Sequence, residues 1–96
     1  MKESKFQSDL IKEIKARFPG CIVTKLDSAM IQGIPDLLIL HRNRWATLEC
    51  KRSMTASHRP NQEYYVRQMN EMSFSSFICP ENKEEILNAL QRSFEA

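Results

Sequence analysis

Between Gly33 and Lys51 two apolar runs flank a short polar turn, and this arrangement constrains the fold more than any other feature of the chain. Ile34 to His41 reads as a strand, and its run Leu37-Leu38-Ile39-Leu40 suggests burial on both faces. Trp45 to Lys51 reads as the next strand, with Arg42-Asn43 as a tight turn between them. A hairpin turning there sets His41 opposite Arg44. Counting five residues back along both strands then sets Asp36 opposite Glu49. A four-residue loop gives the same pairing, whereas an odd loop length shifts the register by one. Opposed residues project from one face with Cβ atoms roughly 5 Å apart. Along the second of these strands Trp45, Thr47, Glu49 and Lys51 share a face, and Ala46, Leu48 and Cys50 share the other.

The rest of the chain supplies cover for such a sheet. Lys2 to Phe18 has Phe6, Leu10, Ile11, Ile14 and Phe18 at helical spacing, and Pro19-Gly20 ends it. Cys21 to Leu26 reads as a strand and Asp27 to Gly33 as a loop. Arg52 to Arg59 is polar and irregular, and Pro60 opens a helix running to about Met72. Tyr65, Val66, Met69 and Met72 form its apolar face. Phe74 to Cys79 is a fourth strand. Pro80 and Glu81 start a last helix with the stripe Ile86, Leu87, Leu90 and Phe94. The order α-β-β-β-α-β-α predicts an α/β fold, a mixed sheet flanked by helices, with a single domain over residues 1–96.

Composition narrows the function classes. No apolar run approaches a membrane span, and MKESKFQSDL carries no apolar signal core, so a cytoplasmic protein is expected. Cys21, Cys50 and Cys79 are far apart, odd in number and without zinc spacing, which makes them reduced strand residues. His41 and His58 match no ligand pattern, and a polar surface role is the default for each. The formal net charge of +2 is weak support for nucleic acid. Its distribution says more. Arg42, Arg44, Lys51, Arg52, Arg59 and Arg67 outnumber Glu49 and Glu63 between positions 42 and 67, so a basic surface is expected there, or simply a solvated charged one.

Two carboxylates facing each other in a sheet repel, and burial raises the cost. A divalent cation bound by Asp36 and Glu49 removes the conflict, and oxygen ligands suit Mg²⁺, with Mn²⁺ substituting. Lys51 beside them can orient water or stabilise charge developing on phosphate. ExK alone is a very weak signal. Asp36, after Pro35 and within an apolar strand, strengthens it. On the first helix Glu3 and Gln7 fall among the inward apolar residues, and Glu13 lies at their edge. Either Glu3 approaches the carboxylate pair or it belongs to a frayed, exposed first turn. Gln62 sits on the inward face of the second helix, near the metal site or capped by solvent. Tyr64 points away from that face.

ESKFQ at Glu3 to Gln7, GIPDLLIL at Gly33 to Leu40, LECK at Leu48 to Lys51 and RPNQ at Arg59 to Gln62 together resemble the VRR-NUC branch of PD-(D/E)xK nucleases, and more broadly Holliday junction resolvases. The resemblance spans nearly the whole chain. It implies a restriction-endonuclease-like αβββαβ core plus a C-terminal helix. It also implies a metal held by Asp36, Glu49, the Cys50 main-chain carbonyl and Glu3, with Lys51 as the catalytic lysine and Gln62 as the family's glutamine. Lys25, Ser28, Arg52, Arg59 and Gln7 fall where nucleic acid would lie. Arg59-Pro60-Asn61 stands where the family often has Ser-Pro before the glutamine, a departure that bears on loop contacts to DNA. The implied activity is phosphodiester hydrolysis in DNA leaving a 3′-hydroxyl and a 5′-phosphate, structure-selective on branched DNA such as Holliday junctions. Flaps, nicks or single strands, or a non-catalytic binding module, are the alternatives. Minimal members resemble virus-type enzymes acting as homodimers, which suits a symmetric junction.

Overall fold

The computed structural model describes residues 2–96. Helix α1 (Glu3–Arg17) buries Phe6, Leu10 and Ile14, one helical turn apart, and Phe18 continues the stripe past its end. Gly20 then takes φ +87°, which the turn into the sheet requires. Strands β1 (Ile22–Lys25), β2 (Leu37–His41) and β3 (Arg44–Cys50) form an antiparallel meander. Helix α2 (Gln62–Met72) carries the chain over to β4 (Phe74–Ile78), parallel to β3, and α3 (Lys83–Glu95) closes the order. The sheet runs β1-β2-β3-β4 and is mixed, as expected for an α/β chain of this order.

The hairpin register is the expected one: His41 faces Arg44, and the pairs run back to Leu37 and Leu48. Arg42 reaches the turn with φ +58°. One face of the sheet, carrying Leu37, Ile39, Ala46, Leu48 and Cys50, packs with Phe6, Leu10, Ile14 and Phe18 of the α1 segment and with Leu87, Leu90 and Phe94 of α3. Arg17 ties α1 to α3 through Asn88 and Gln91, and Lys83 reaches Glu13 at 2.9 Å. The other face meets α2. There Thr47 Oγ1 donates to Ser75 Oγ at 2.8 Å, beside Met69 Sδ at 3.3 Å, so the buried hydroxyls are satisfied.

Several boundaries differ from expectation. β2 begins at Leu37 rather than Ile34, because Pro35 has no N–H to offer a ladder and Asp36 turns its carboxylate onto the Cys50 N–H. α2 begins at Gln62 rather than Pro60, since Asn61 is left-handed with φ +69°. α3 begins at Lys83, not Pro80. β2 is not buried on both faces. α2 packs mainly on β3 and β4, and Leu40 is exposed opposite an exposed Ile22. Met72, expected on the inward face of α2, is exposed at its last position. His41 is no plain surface residue: its ring packs against both Phe18 and Phe94, with centroids 5.6 and 5.4 Å away, in a three-ring cluster. All three cysteines are free. Among the described residues no helix is long and apolar enough to cross a membrane.

Candidate metal centre

The end of the sheet where β3 stops and β2 starts gathers the acidic residues. Asp36 lies one residue before β2, and its main-chain carbonyl accepts from Leu26 N at 2.9 Å, extending the β1–β2 pairing by one step. Its Oδ2 accepts from the Cys50 N–H at 2.9 Å, which fixes the carboxylate against the end of β3. Glu49 projects from the α2 face of β3 and is only 2 % exposed. Glu3 comes from the first turn of α1. The residue is exposed, yet one oxygen from each of Glu3, Asp36 and Glu49 lies within 4.8 Å of the others. Both alternatives for Glu3 therefore hold in part: it is solvent-facing and it belongs to the cluster.

Lys51 follows immediately, 7 % exposed, with its N–H still paired to Ile78 O. Its Nζ donates to Gln62 Oε1 at 2.7 Å and to the Ser57 carbonyl at 3.1 Å, and stands 4.0 Å from Glu49 Oε2. Gln62, buried at the start of α2, donates from Nε2 to Glu49 Oε2 at 3.1 Å. Its Oε1 also accepts from the Arg59 N–H at 2.8 Å. One amide thus fixes both the lysine and the glutamate, with no contact to solvent needed. An ammonium has three donors, and two are occupied here.

Glu49 Oε1 is buried with no hydrogen-bond partner. Burial, and then the neighbouring Asp36 carboxylate, push its carboxyl up to about 8; Lys51 pulls the other way and Glu3 adds to the rise. A hydrogen bond between Glu49 and Asp36 exists only while one of them is protonated. When both are ionised, Oε1 faces like charge with no hydrogen-bond donor of its own. Three convergent carboxylates, one carrying an orphaned buried oxygen, match the oxygen-donor set that a hard divalent cation takes. Burial also raises the Cys50 thiol, and Asp36 adds to that rise. Gln7 approaches this thiol from α1 rather than joining the carboxylates.

Two polar cavities flank the cluster. One of about 410 Å³ is lined by Lys2, Glu3, Lys51, Arg52 and Arg59. The other, of about 300 Å³, lies against Ser28, Gln32, Asp36, Arg59 and Gln62. Arg59 is common to both. Lys25 is exposed at the end of β1 and lines neither. The basic run between positions 42 and 67 is therefore not one patch. Arg42 and Arg44 sit at the opposite end of the β2–β3 hairpin, and Arg44 bonds the Ala96 carbonyl. Sequence reasoning missed Lys2 and the Ser57 carbonyl. A main-chain acceptor has no residue-type signature, whereas Lys2 adjoins Glu3 and that adjacency was a usable signal. His58 is exposed and bonds Glu63 at 2.9 Å, the polar surface role expected of it, with its ring stacked on Phe77 at 4.0 Å.

No protein-family model, curated protein or solved structure matches this chain.

Proposed function

We propose that this chain is a metal-dependent DNA endonuclease of the PD-(D/E)xK type, with its sheet and helices forming a restriction-endonuclease-like core. One observation carries the reading: Glu49, buried and with an unpartnered oxygen, converges with Asp36 and Glu3 beside a lysine held in place by Gln62. Glu3, Asp36 and Glu49 would hold Mg²⁺, or Mn²⁺ in its place, and the Cys50 carbonyl stands next in the chain to complete the set. Such an ion supplies Lewis-acid polarisation of a phosphate and a lowered pKa for bound water.

The chain's own groups do the positioning. Gln62 and the Ser57 carbonyl leave one Lys51 proton for a phosphate oxygen or a water. Arg52 and Arg59 line the cavity beside it, where a sugar-phosphate backbone finds charge but few groups able to read base edges. Substrate choice on this reading goes by shape, and branched DNA such as a Holliday junction is the preferred class. A homodimer would bring two such sites to a symmetric junction. The uncovered sheet face bearing Ile22 and Leu40 is the surface available for it.

The test is a cleavage panel of four-way, flapped, nicked, single-stranded and linear DNA, each with Mg²⁺, Mn²⁺ or EDTA. Cutting of branched DNA, dependent on metal, is expected. Asp36→Ala should lower the rate by at least about a thousandfold while DNA binding persists. No cleavage of any DNA with either metal would sink the proposal, and cutting confined to flaps or single strands would move the substrate class.

A further inference from the structure

The loop joining β1 to β2 starts and ends at the carboxylate cluster, because Leu26 and Asp36 are hydrogen-bonded across its base. It is braced along its length. Asp27 Oδ1 accepts from Ala29 N at 2.8 Å, the Asp27 carbonyl accepts from Met30 N at 3.1 Å, and Ile31 O accepts from Ile34 N at 3.2 Å. Gly33 packs onto the segment leading into α2 with φ +90°, where a Cβ would stand 2.7 Å from Asn61. At the tip of this braced loop Met30 is 83 % exposed, more than any other large apolar side chain described, and Ile31 beside it is exposed as well. Ser28 and Gln32, two residues to either side of Met30, line the polar cavity of about 300 Å³ that reaches Asp36.

A polar cavity that holds Asp36 and Arg59 therefore adjoins a loop whose tip is apolar. Those are the two surfaces a nucleotide presents: a charged backbone and an apolar base face. We propose that Met30, supported by Ile31, is a wedge that covers a nucleobase face laid open at a DNA branch point, next to the phosphate at the carboxylate cluster. The proposal rests on the nuclease reading and names how its site selects substrate. In a continuous duplex every base face is already covered, and opening a step costs a few kcal/mol. At a branch that stacking is interrupted or weak, so the thioether gains contact there and not on linear DNA. Methionine suits the role because its flexible, polarisable chain fits an irregular surface.

Met30→Ser tests this, with Met30→Leu as the conservative variant and Met72→Ser as the control. Met72 is a second exposed methionine, at the end of α2 beside the start of β4. Binding to branched and linear DNA of equal length is measured by anisotropy with Ca²⁺ in place of Mg²⁺, and 2-aminopurine at the branch reports unstacking. Met30→Ser should weaken branched binding roughly tenfold, at the lower end of what one covered base contributes. It should change linear binding less than about twofold and abolish the 2-aminopurine rise. Met30→Leu and Met72→Ser should behave as the unaltered protein. Unchanged branched binding by Met30→Ser, or equal loss on both DNAs, overturns the wedge. So does a sedimentation change with DNA preference intact, which would give the tip to a second copy of the chain. If the unaltered protein cuts branched DNA and Met30→Ser cuts it equally well, the wedge alone fails. If the unaltered protein neither binds nor cuts any DNA, the nuclease reading fails with it.

Discussion

Glu49 is the residue on which the site turns. Its carboxyl titrates well above the ordinary carboxylate range because it is buried beside Asp36. The folded state therefore prefers it protonated, while the unfolded chain releases that proton near the ordinary value. Its contribution to stability is complete below pH 4.5 and declines as pH rises towards about 8. In metal-free buffer, Glu49→Gln should remove most of that slope and stabilise the protein at pH 8 by on the order of 1–3 kcal/mol, read from denaturant unfolding. A divalent cation needs the ionised form, so its affinity should rise with pH over the same interval. A variant less stable than the original at pH 8 in EDTA would show that Glu49 is not a strained acid. Asp36 and Glu49 were legible as a pair in the sequence, because a two-residue turn at Arg42-Asn43 together with strict alternation sets them opposite each other. The Ser57 carbonyl that holds Lys51 was not, since any residue supplies the same atom.

At the scale of elements, what positions the site is the docking of the Asp27–Gly33 loop onto the start of α2. Gly33→Ala places a methyl 2.7 Å from Asn61 at a φ that L residues avoid. The expected cost is about 2–4 kcal/mol of stability, and cleavage should fall further than unfolding alone explains, because Asn61 leads directly into Gln62. Thermal unfolding and single-turnover rates separate the two effects; wild-type values for both would refute the docking. This contact also explains the misjudged start of α2. Pro60 is a good local opener, but the helix waits for Asn61 to pass through a left-handed conformation while it abuts Gly33. Similarly, Leu40 lies in an apolar run, yet its burial depends on how far α2 reaches across the sheet. Local pattern carries no record of that reach. The inward faces of α1 and α2 were legible where they met the core, at Phe6, Leu10, Ile14 and Val66, and missed at the last residue of α2, Met72.

Over the whole molecule, charge is divided between the two ends of the sheet. Lys2, Lys51, Arg52 and Arg59 gather at the carboxylate end, and Arg42 and Arg44 at the other. If the first group meets phosphates, affinity should fall steeply with salt, and Arg52→Ala should reduce the slope of log K against log salt by about 1. Arg42→Ala should leave the slope unchanged. Equal effects from the two substitutions would mean that DNA does not choose an end. Net charge alone did not show this division, because linear order groups Arg42 with Arg52 while the hairpin sends them to opposite poles.

That hairpin also limits how such a chain can change in length over generations. The turn at Arg42-Asn43 is the gauge that brings Glu49 level with Asp36. One extra codon there is harmless if the turn absorbs it as a three-residue loop, with every strand pair kept. If the chain instead rebuilds a two-residue turn one place along, the following strand changes sides, sending Glu49 inward among the leucines and bringing Cys50 to the carboxylates. Insertions tolerated in descendants of this gene should therefore be those confined to the turn itself, or those across the exposed stretch after Lys51 that do not pull Ser57 away.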